Sequence, residues 1–75
     1  MKSREIIGKE VIDAAARIIG PVQDLEIDLT KWTVTGIIVK SGFMKKVTIP
    51  AGNIDKVGDK VVLKVAFDKI QKISA

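Results

Sequence analysis

The stretch from residue 47 to residue 63 constrains the fold of this chain more than any other. Apolar and polar residues alternate up to Ile49, the alternation stops at Pro50, and a second apolar run begins at Val61. A period of two is typical of a strand with one buried face, and proline interrupts strand pairing because it has no backbone N–H. The pattern predicts two strands joined by a short looped turn, as at one corner of a small β-barrel.

Length and composition limit what this chain can build. Its 75 residues provide for one domain, 1–75, and a chain of this size buries only about 60% of the surface that it exposes when unfolded. We therefore expect modest stability, or help from self-association. Only three residues are aromatic, so the core must consist of Ile, Val and Leu, which favour strands. The expected fold is an all-β small barrel of about six mostly antiparallel strands with short helical turns.

The side chains on which most enzymes depend are absent from the sequence. It contains no cysteine, histidine or tyrosine, so catalysis would rest on carboxylates, lysines or hydroxyls. The lack of cysteine also excludes disulfides and thiolate metal sites. Asp24, Glu26 and Asp28 are two residues apart, an acidic series that offers oxygen ligands to a hard cation but is far more often a solvated strand face. We predict a chain that is not an enzyme, with no catalytic residues, no cofactor and no metal site.

Neither the N-terminal segment nor the charge distribution indicates a membrane or an obvious electrostatic partner. Residues 1–8 lack the apolar segment of a signal peptide, and no apolar run is long enough to span a bilayer, so we expect a cytoplasmic location. Residues 1–28 contain four basic and six acidic residues, whereas residues 29–75 contain nine lysines and three aspartates. Because the two halves of a barrel sequence interleave in space, we interpret the lysines as the ordinary solvated face of strands.

The segment 10–19 is compatible with two structures. Its apolar residues have the spacing of an amphipathic helix, three successive alanines favour that helix, and Gly20-Pro21 would end it. The alternative is a hairpin of strands 10–13 and 18–27 that turns through the alanines, which lack the usual turn chemistry.

The strands that follow are predicted with two irregularities. Val22 is out of phase with Leu25, so a strand that keeps one apolar face needs a bulge near residues 23–24. At Gly36 the same problem recurs, because Val34 and Ile37 lie on opposite faces unless a bulge shifts the phase. Without such a bulge the barrel would expose an aliphatic stripe. Residues 28–31 are expected to form a turn, and residues 65–73 an extended segment or a short helix.

The order of these elements resembles a known family. The segments are GKEVID at 8–13, IIGPVQDLEID at 18–28, VTGIIV at 34–39, and IP at 49–50 followed by NIDKVGD at 53–59. Together they are similar to a PRC-barrel domain of the stand-alone archaeal type, over roughly residues 6–65. The chain departs from the family at Ala14-Ala15-Ala16, where a small turn residue such as glycine is usual, and at Ala51, where a larger residue often follows the proline.

This resemblance implies a binding module. The family includes the cytoplasmic part of the photosynthetic reaction centre H subunit, a ribosome maturation factor that binds a small-subunit protein, and archaeal proteins similar to partners of the division machinery. None of these prescribes catalytic residues here. The resemblance also favours the hairpin over the helix at residues 10–19, because a barrel without those strands would leave long unpaired edges.

A protein-binding surface is predicted at the loop 41–46 and the neighbouring outer strand face. Loops on a rigid scaffold often carry recognition, and an apolar pair beside lysines resembles an anchor with a polar rim. The alternative is that Phe43 is folded inward and fills the barrel core. The candidate residues are Phe43, Met44, Lys45, Lys46, Thr33, Thr35 and Thr48.

Two further expectations concern partners. We expect an unidentified protein partner, and pairing of the chain with itself through a strand edge or an exposed aliphatic stripe. The rival function is binding of RNA or single-stranded nucleic acid, since Lys40, Lys45 and Lys46 surround one aromatic residue. Stacking residues and arginines are scarce, so we expect nucleic acid to bind weakly at most. Trp32, at the start of a strand, is expected to pack in the core or at the end of the barrel.

Overall fold

Strands dominate the computed structural model, which describes residues 2–42 and 45–74. The helices are α1 (Ser3–Ile6) and α2 (Phe67–Ser74), and a 3-10 turn lies at Ala51–Asn53. The strands are β1 (Glu10–Ile12), β2 (Ile18–Asp28), β3 (Thr33–Ser41), β4 (Lys45–Pro50), β5 (Ile54–Val57) and β6 (Val61–Leu63). The predicted all-β class with short helical turns is confirmed.

The six strands of the described residues form one sheet in the order β4-β3-β2-β1-β6-β5. Four of the five pairings are antiparallel, and β1 pairs with β6 in parallel. In this order β4 and β5 are the terminal strands, so the ladder does not close on itself. One strand was missed by the sequence analysis, since the looped turn predicted between Pro50 and Val61 contains β5. The sequence pattern does not indicate this strand, because it has only four residues and its pairing with β6 shifts register between Ile54 and Lys56.

The core is aliphatic, as the composition predicts. Both helices and five of the six strands contribute buried side chains, while β5 contributes partly buried ones. Alternation is clear in β3, where Ile37 and Val39 are buried and Ile38 between them is only half-buried. The buried apolar residues are Ile6, Val11, Ile19, Val22, Ile37, Val39, Ile49, Val61, Leu63 and Ile70.

Residues 10–19 form the predicted hairpin and not a helix. Val11 is paired with Gly20 and Ile12 with Ile18 in an antiparallel ladder. Backbone hydrogen bonds between Gly8 and Val22 and between Val22 and Lys9 extend this pairing. The hairpin supplies the strand that joins β2 to β6, so without it the sheet would divide in two.

Both predicted irregularities of the central strands are present. The pairing of β2 with β3 shifts between Val22 and Asp24, and again where Ile27 pairs with Val34 directly after Glu26 pairs with Gly36. The second shift leaves Thr35 as the extra residue beside the glycine. A bulge of this kind restores the phase, so Val34 lies on the same side of the sheet as Ile37.

Candidate docking surface

The end of the β2–β3 hairpin carries a group of exposed apolar side chains. Trp32 is 80% exposed and Leu29 is 68% exposed, and the cross-strand pair Ile27 and Val34 is about half exposed, at 51% and 49%. Single exposed apolar residues are common on protein surfaces, whereas several at one end of an element make that end a candidate interaction site. We call these four residues the hairpin surface.

Strand length explains why these side chains are exposed. The register pairs Leu25 with Ile37 and Ile27 with Val34. With Thr35 as the bulged residue, both pairs lie on the core side of the sheet. Leu25 and Ile37 still contact the core, whereas the next pair lies beyond it. The hairpin therefore continues the apolar inner face past the end of the core.

The turn of this hairpin holds Trp32 in an uncommon backbone conformation. The Asp28 carboxylate starts the turn by accepting hydrogen bonds from the backbone N–H groups of Thr30, at 2.9 Å, and Lys31, at 3.3 Å. Trp32 then has φ of 54°, in the left-handed region that bulky residues rarely adopt. Strain of this kind persists where the surrounding structure imposes it, and it clusters at functional sites.

An apolar groove adjoins the hairpin surface. Its volume is about 220 Å³, and α1 and β5 form the walls opposite the β2–β3 sheet. Val34 belongs to both the groove and the hairpin surface, so the two are continuous. The lining residues are Lys2, Ser3, Ile6, Leu25, Val34, Ile37 and Ile54.

The structure separates the residues that the sequence analysis grouped into one site. Thr33 and Thr35 are exposed at the hairpin end of β3, and the Thr35 hydroxyl donates to the Glu26 carbonyl at 3.3 Å. Thr48 is exposed farther along the sheet, opposite Ile38.

The basic part of the predicted site lies at the other end of β3. Lys45 and Lys46 are exposed at the start of β4, and Lys46 pairs with Lys40. Phe43 and Met44 lie outside the described residues. Their role in binding stays a prediction, as does the alternative that Phe43 fills the core.

The expectation for Trp32 was wrong. It was predicted to pack in the core or at the barrel end, but it is the most exposed of the large hydrophobic residues described. The residue pattern cannot show how far a hairpin extends beyond the core it helps to build. One signal was present, because two large apolar residues, Leu29 and Trp32, lie in or next to a predicted turn, where small polar residues are usual.

The acidic series of β2 has no metal-binding geometry. Asp24 accepts a hydrogen bond from the backbone N–H of Leu25 at 2.8 Å, and Asp28 is engaged in the turn. Across the described part of the chain, no three candidate ligands come together in a group that could hold a metal ion.

Asp13 is the one buried charged side chain in residues 2–42 and 45–70, and it serves the fold. It is 2% exposed, and its carboxylate accepts hydrogen bonds from the backbone N–H groups of Ala15, Arg17 and Phe67 and from the Arg17 guanidinium, at 2.8–3.0 Å. Burial acts to raise the pKa of Asp13, but the hydrogen bonds from Phe67 and Arg17 and the Arg17 charge outweigh it, so the pKa lies below its ordinary value. The carboxylate thus closes the β1–β2 turn and caps α2 at once.

The family model of the PRC-barrel domain matches residues 1–70, nearly the whole chain. A search of curated proteins finds no match. Among the described residues, the helices are too short to cross a bilayer.

Proposed function

Because the chain belongs to the PRC-barrel domain family, we propose that it is a non-catalytic protein-interaction module, and that a protein partner docks on the hairpin surface. The observation that carries this proposal is the exposed Trp32, held in a left-handed backbone conformation and flanked by exposed aliphatic side chains. Tryptophan is the residue type most enriched at the energetic centres of protein interfaces.

The hairpin surface offers a large apolar area to a docking partner. Covering Trp32 alone removes roughly 200 Å² from water, which corresponds to about 5 kcal/mol at ~25 cal/mol per Å². The freedom lost on association offsets a large part of this gain, so the partner must cover the neighbouring Leu29, Ile27 and Val34 as well. Their place at the same end of the hairpin as Trp32 supports a site that acts as one unit.

The wider role that we propose is that of a cytoplasmic adaptor. Its resemblance to archaeal proteins similar to division partners, and to a ribosome maturation factor, supports scaffolding in cell division or in ribosome assembly. The loop 41–46 with its lysines is kept as a second candidate contact. The two surfaces lie at opposite ends of β3, so variants distinguish them.

Affinity capture from native cell extract, followed by mass spectrometry, tests this proposal. Trp32→Ser and Leu29→Ser should abolish retention of the partner while leaving the melting temperature nearly unchanged, since both side chains are largely exposed. Ile18→Ser is the matched control, because Ile18 is also an aliphatic residue about two-thirds exposed, but at the start of β2. A ribosomal partner would favour assembly, and division proteins would favour scaffolding.

The same experiment compares the two candidate surfaces. Phe43→Ser probes the loop predicted from the sequence. If that variant loses the partner while Trp32→Ser retains it, the hairpin surface is not the docking site. If Ile18→Ser loses the partner as completely as Trp32→Ser, retention reflects general apolar adhesion and the proposal fails.

A further inference from the structure

We infer that the partner seated on the hairpin surface is a second copy of this chain, with Trp32 of each copy lying in the groove of the other. This inference rests on the proposed docking role of the hairpin surface and names its occupant. It involves both the exposed tryptophan and the apolar groove, whereas the docking role alone assigns nothing to the groove.

The arrangement of projection and groove is self-complementary. Trp32 is two residues before Val34, which lines the groove, so the Cα atoms of the two residues are at most about 7 Å apart. When a projection and a groove lie side by side on one surface, a two-fold axis between them places each projection in the opposite groove. A dimer of this kind is closed and does not propagate into a fibre.

The groove has the size and polarity that an indole ring needs. Its volume of about 220 Å³ exceeds that of an engineered apolar cavity of roughly 150 Å³ which binds benzene. Five of its seven lining residues are aliphatic, namely Ile6, Leu25, Val34, Ile37 and Ile54. Because Trp32 is exposed, it does not occupy the groove of its own copy.

The area is adequate for a stable dimer. The exposed fractions of the four hairpin-surface residues, applied to side chains of roughly 150–250 Å² each, correspond to about 500 Å² of apolar surface per copy. Two copies could therefore bury up to about 1,000 Å² from these residues before the groove and its rim are counted, which is the lower limit for a biological interface.

Charge also favours a second copy at this end of the sheet. Charged residues of both signs lie at this end of the sheet, with Lys2 at the groove and Asp28 and Lys31 in the hairpin turn. Two identical surfaces of mixed charge do not repel strongly. At the opposite end of β3, the exposed lysines Lys40, Lys45 and Lys46 lie close together and would repel their counterparts in a second copy.

Sedimentation equilibrium and intrinsic fluorescence of the full chain test the inference. Trp32 is the single tryptophan, so its emission reports its own environment. We expect a monomer–dimer equilibrium with a blue shift of the emission as the dimer forms. Trp32→Ala should weaken the dimer by about thirtyfold or more, as for a buried tryptophan anchor. Ile18→Ser should leave both the equilibrium and the shift unchanged.

A mixing experiment distinguishes reciprocal insertion from other modes of pairing. Val34→Glu places a charge in the groove but keeps Trp32, whereas Trp32→Ala keeps the groove but lacks the indole. Each variant alone should be mostly monomeric. In the mixture, the emission of the Val34→Glu protein should shift to the blue, because its Trp32 can enter the intact groove of the other variant.

Three results would overturn the inference. The first is a wild-type chain that stays monomeric at high micromolar concentration with solvent-exposed emission. The second is a dimer that Trp32→Ala leaves intact, and the third is a mixture without any shift. If the wild type is monomeric while Trp32→Ser still abolishes capture of another protein, the docking role stands and only the choice of a second copy is wrong.

Discussion

A single carboxylate, Asp13, connects two parts of this molecule that are far apart in the sequence. Its oxygens receive hydrogen bonds from the β1–β2 turn and from the first residue of α2, and Arg17 pairs with it at 3.0 Å. Because a small chain buries only a small core, one buried and fully hydrogen-bonded group has a large effect on its stability. Nothing in the residue pattern distinguishes Asp13 from the other acids, because its role depends on a helix 54 residues away.

Asp13→Asn is expected to destabilise the domain by about 3 kcal/mol at neutral pH, since it removes the charge from a buried carboxylate that accepts four hydrogen bonds and leaves an amide N–H₂ without an acceptor. The pH dependence should change as well. Because the pKa of Asp13 is lowered on folding from its ordinary value of 3.8, its contribution is present above that value and is lost as pH falls through the folded pKa. The variant should therefore lose less stability on acidification. Urea unfolding across this pH range measures both effects.

The matched control for this prediction is Asp68→Asn. Asp68 also faces Arg17, at 3.4 Å, but its side chain is largely exposed. Exposed ion pairs contribute little, so we expect a change below about 0.5 kcal/mol. Equal losses for the two variants would show that the Arg17 charge, and not the buried hydrogen bonds of Asp13, stabilises this junction.

The β1–β2 hairpin shows what the sequence can and cannot predict about an element. Helical spacing and three alanines favour a helix at residues 10–19, whereas the family resemblance and its need for a complete barrel favoured strands. Tertiary pairing overrides local propensity here, because Val11 can be buried only between β2 and β6. The bulges near Gln23 and Gly36 were predictable, since each restores the phase of an apolar face. The short β5 and the exposed Trp32 could not be predicted. Pairing between distant strands decides the first, and the distance by which the β2–β3 hairpin extends beyond the core decides the second.

The turn of the β1–β2 hairpin contains backbone strain that one substitution can relieve. Ala16 has φ of 64°, a left-handed conformation that costs a residue with a Cβ roughly 1 kcal/mol and costs glycine little. Ala16→Gly should therefore stabilise the domain by about 0.5–1 kcal/mol, with part of the gain offset by the freer unfolded chain. Urea unfolding should show a higher midpoint at an unchanged slope.

Ala15→Gly provides the comparison for Ala16→Gly. Ala15 is in the same turn but does not have a positive φ, so glycine there gains nothing and adds unfolded-state entropy. We expect that variant to be less stable than wild type by roughly 0.5 kcal/mol. If both substitutions lower the midpoint equally, the left-handed conformation of Ala16 is not the source of strain.

At the scale of the whole molecule, the two ends of β3 differ in character. The hairpin surface lies at one end of β3, and the lysines Lys40, Lys45 and Lys46 lie at the other. This segregation allows the chain to use its apolar end for a protein contact while its basic end attracts polyanions. A net charge of +4 distributed among interleaved acids gives attraction without the clustered arginines or stacking residues that hold nucleic acid specifically.

We therefore expect single-stranded or duplex nucleic acid to bind weakly and without sequence preference, through the lysine end of β3. Because such binding depends on release of counterions, it should fall steeply with salt and vanish near physiological ionic strength. Anisotropy titrations of labelled RNA and DNA at two ionic strengths measure this. Lys46→Gln should reduce the salt slope by about one, as for loss of one phosphate contact, while Lys31→Gln at the hairpin end leaves it unchanged. Submicromolar affinity at physiological salt that Phe43→Ala abolishes would instead identify a nucleic-acid module, and the hairpin surface would no longer be its principal binding site.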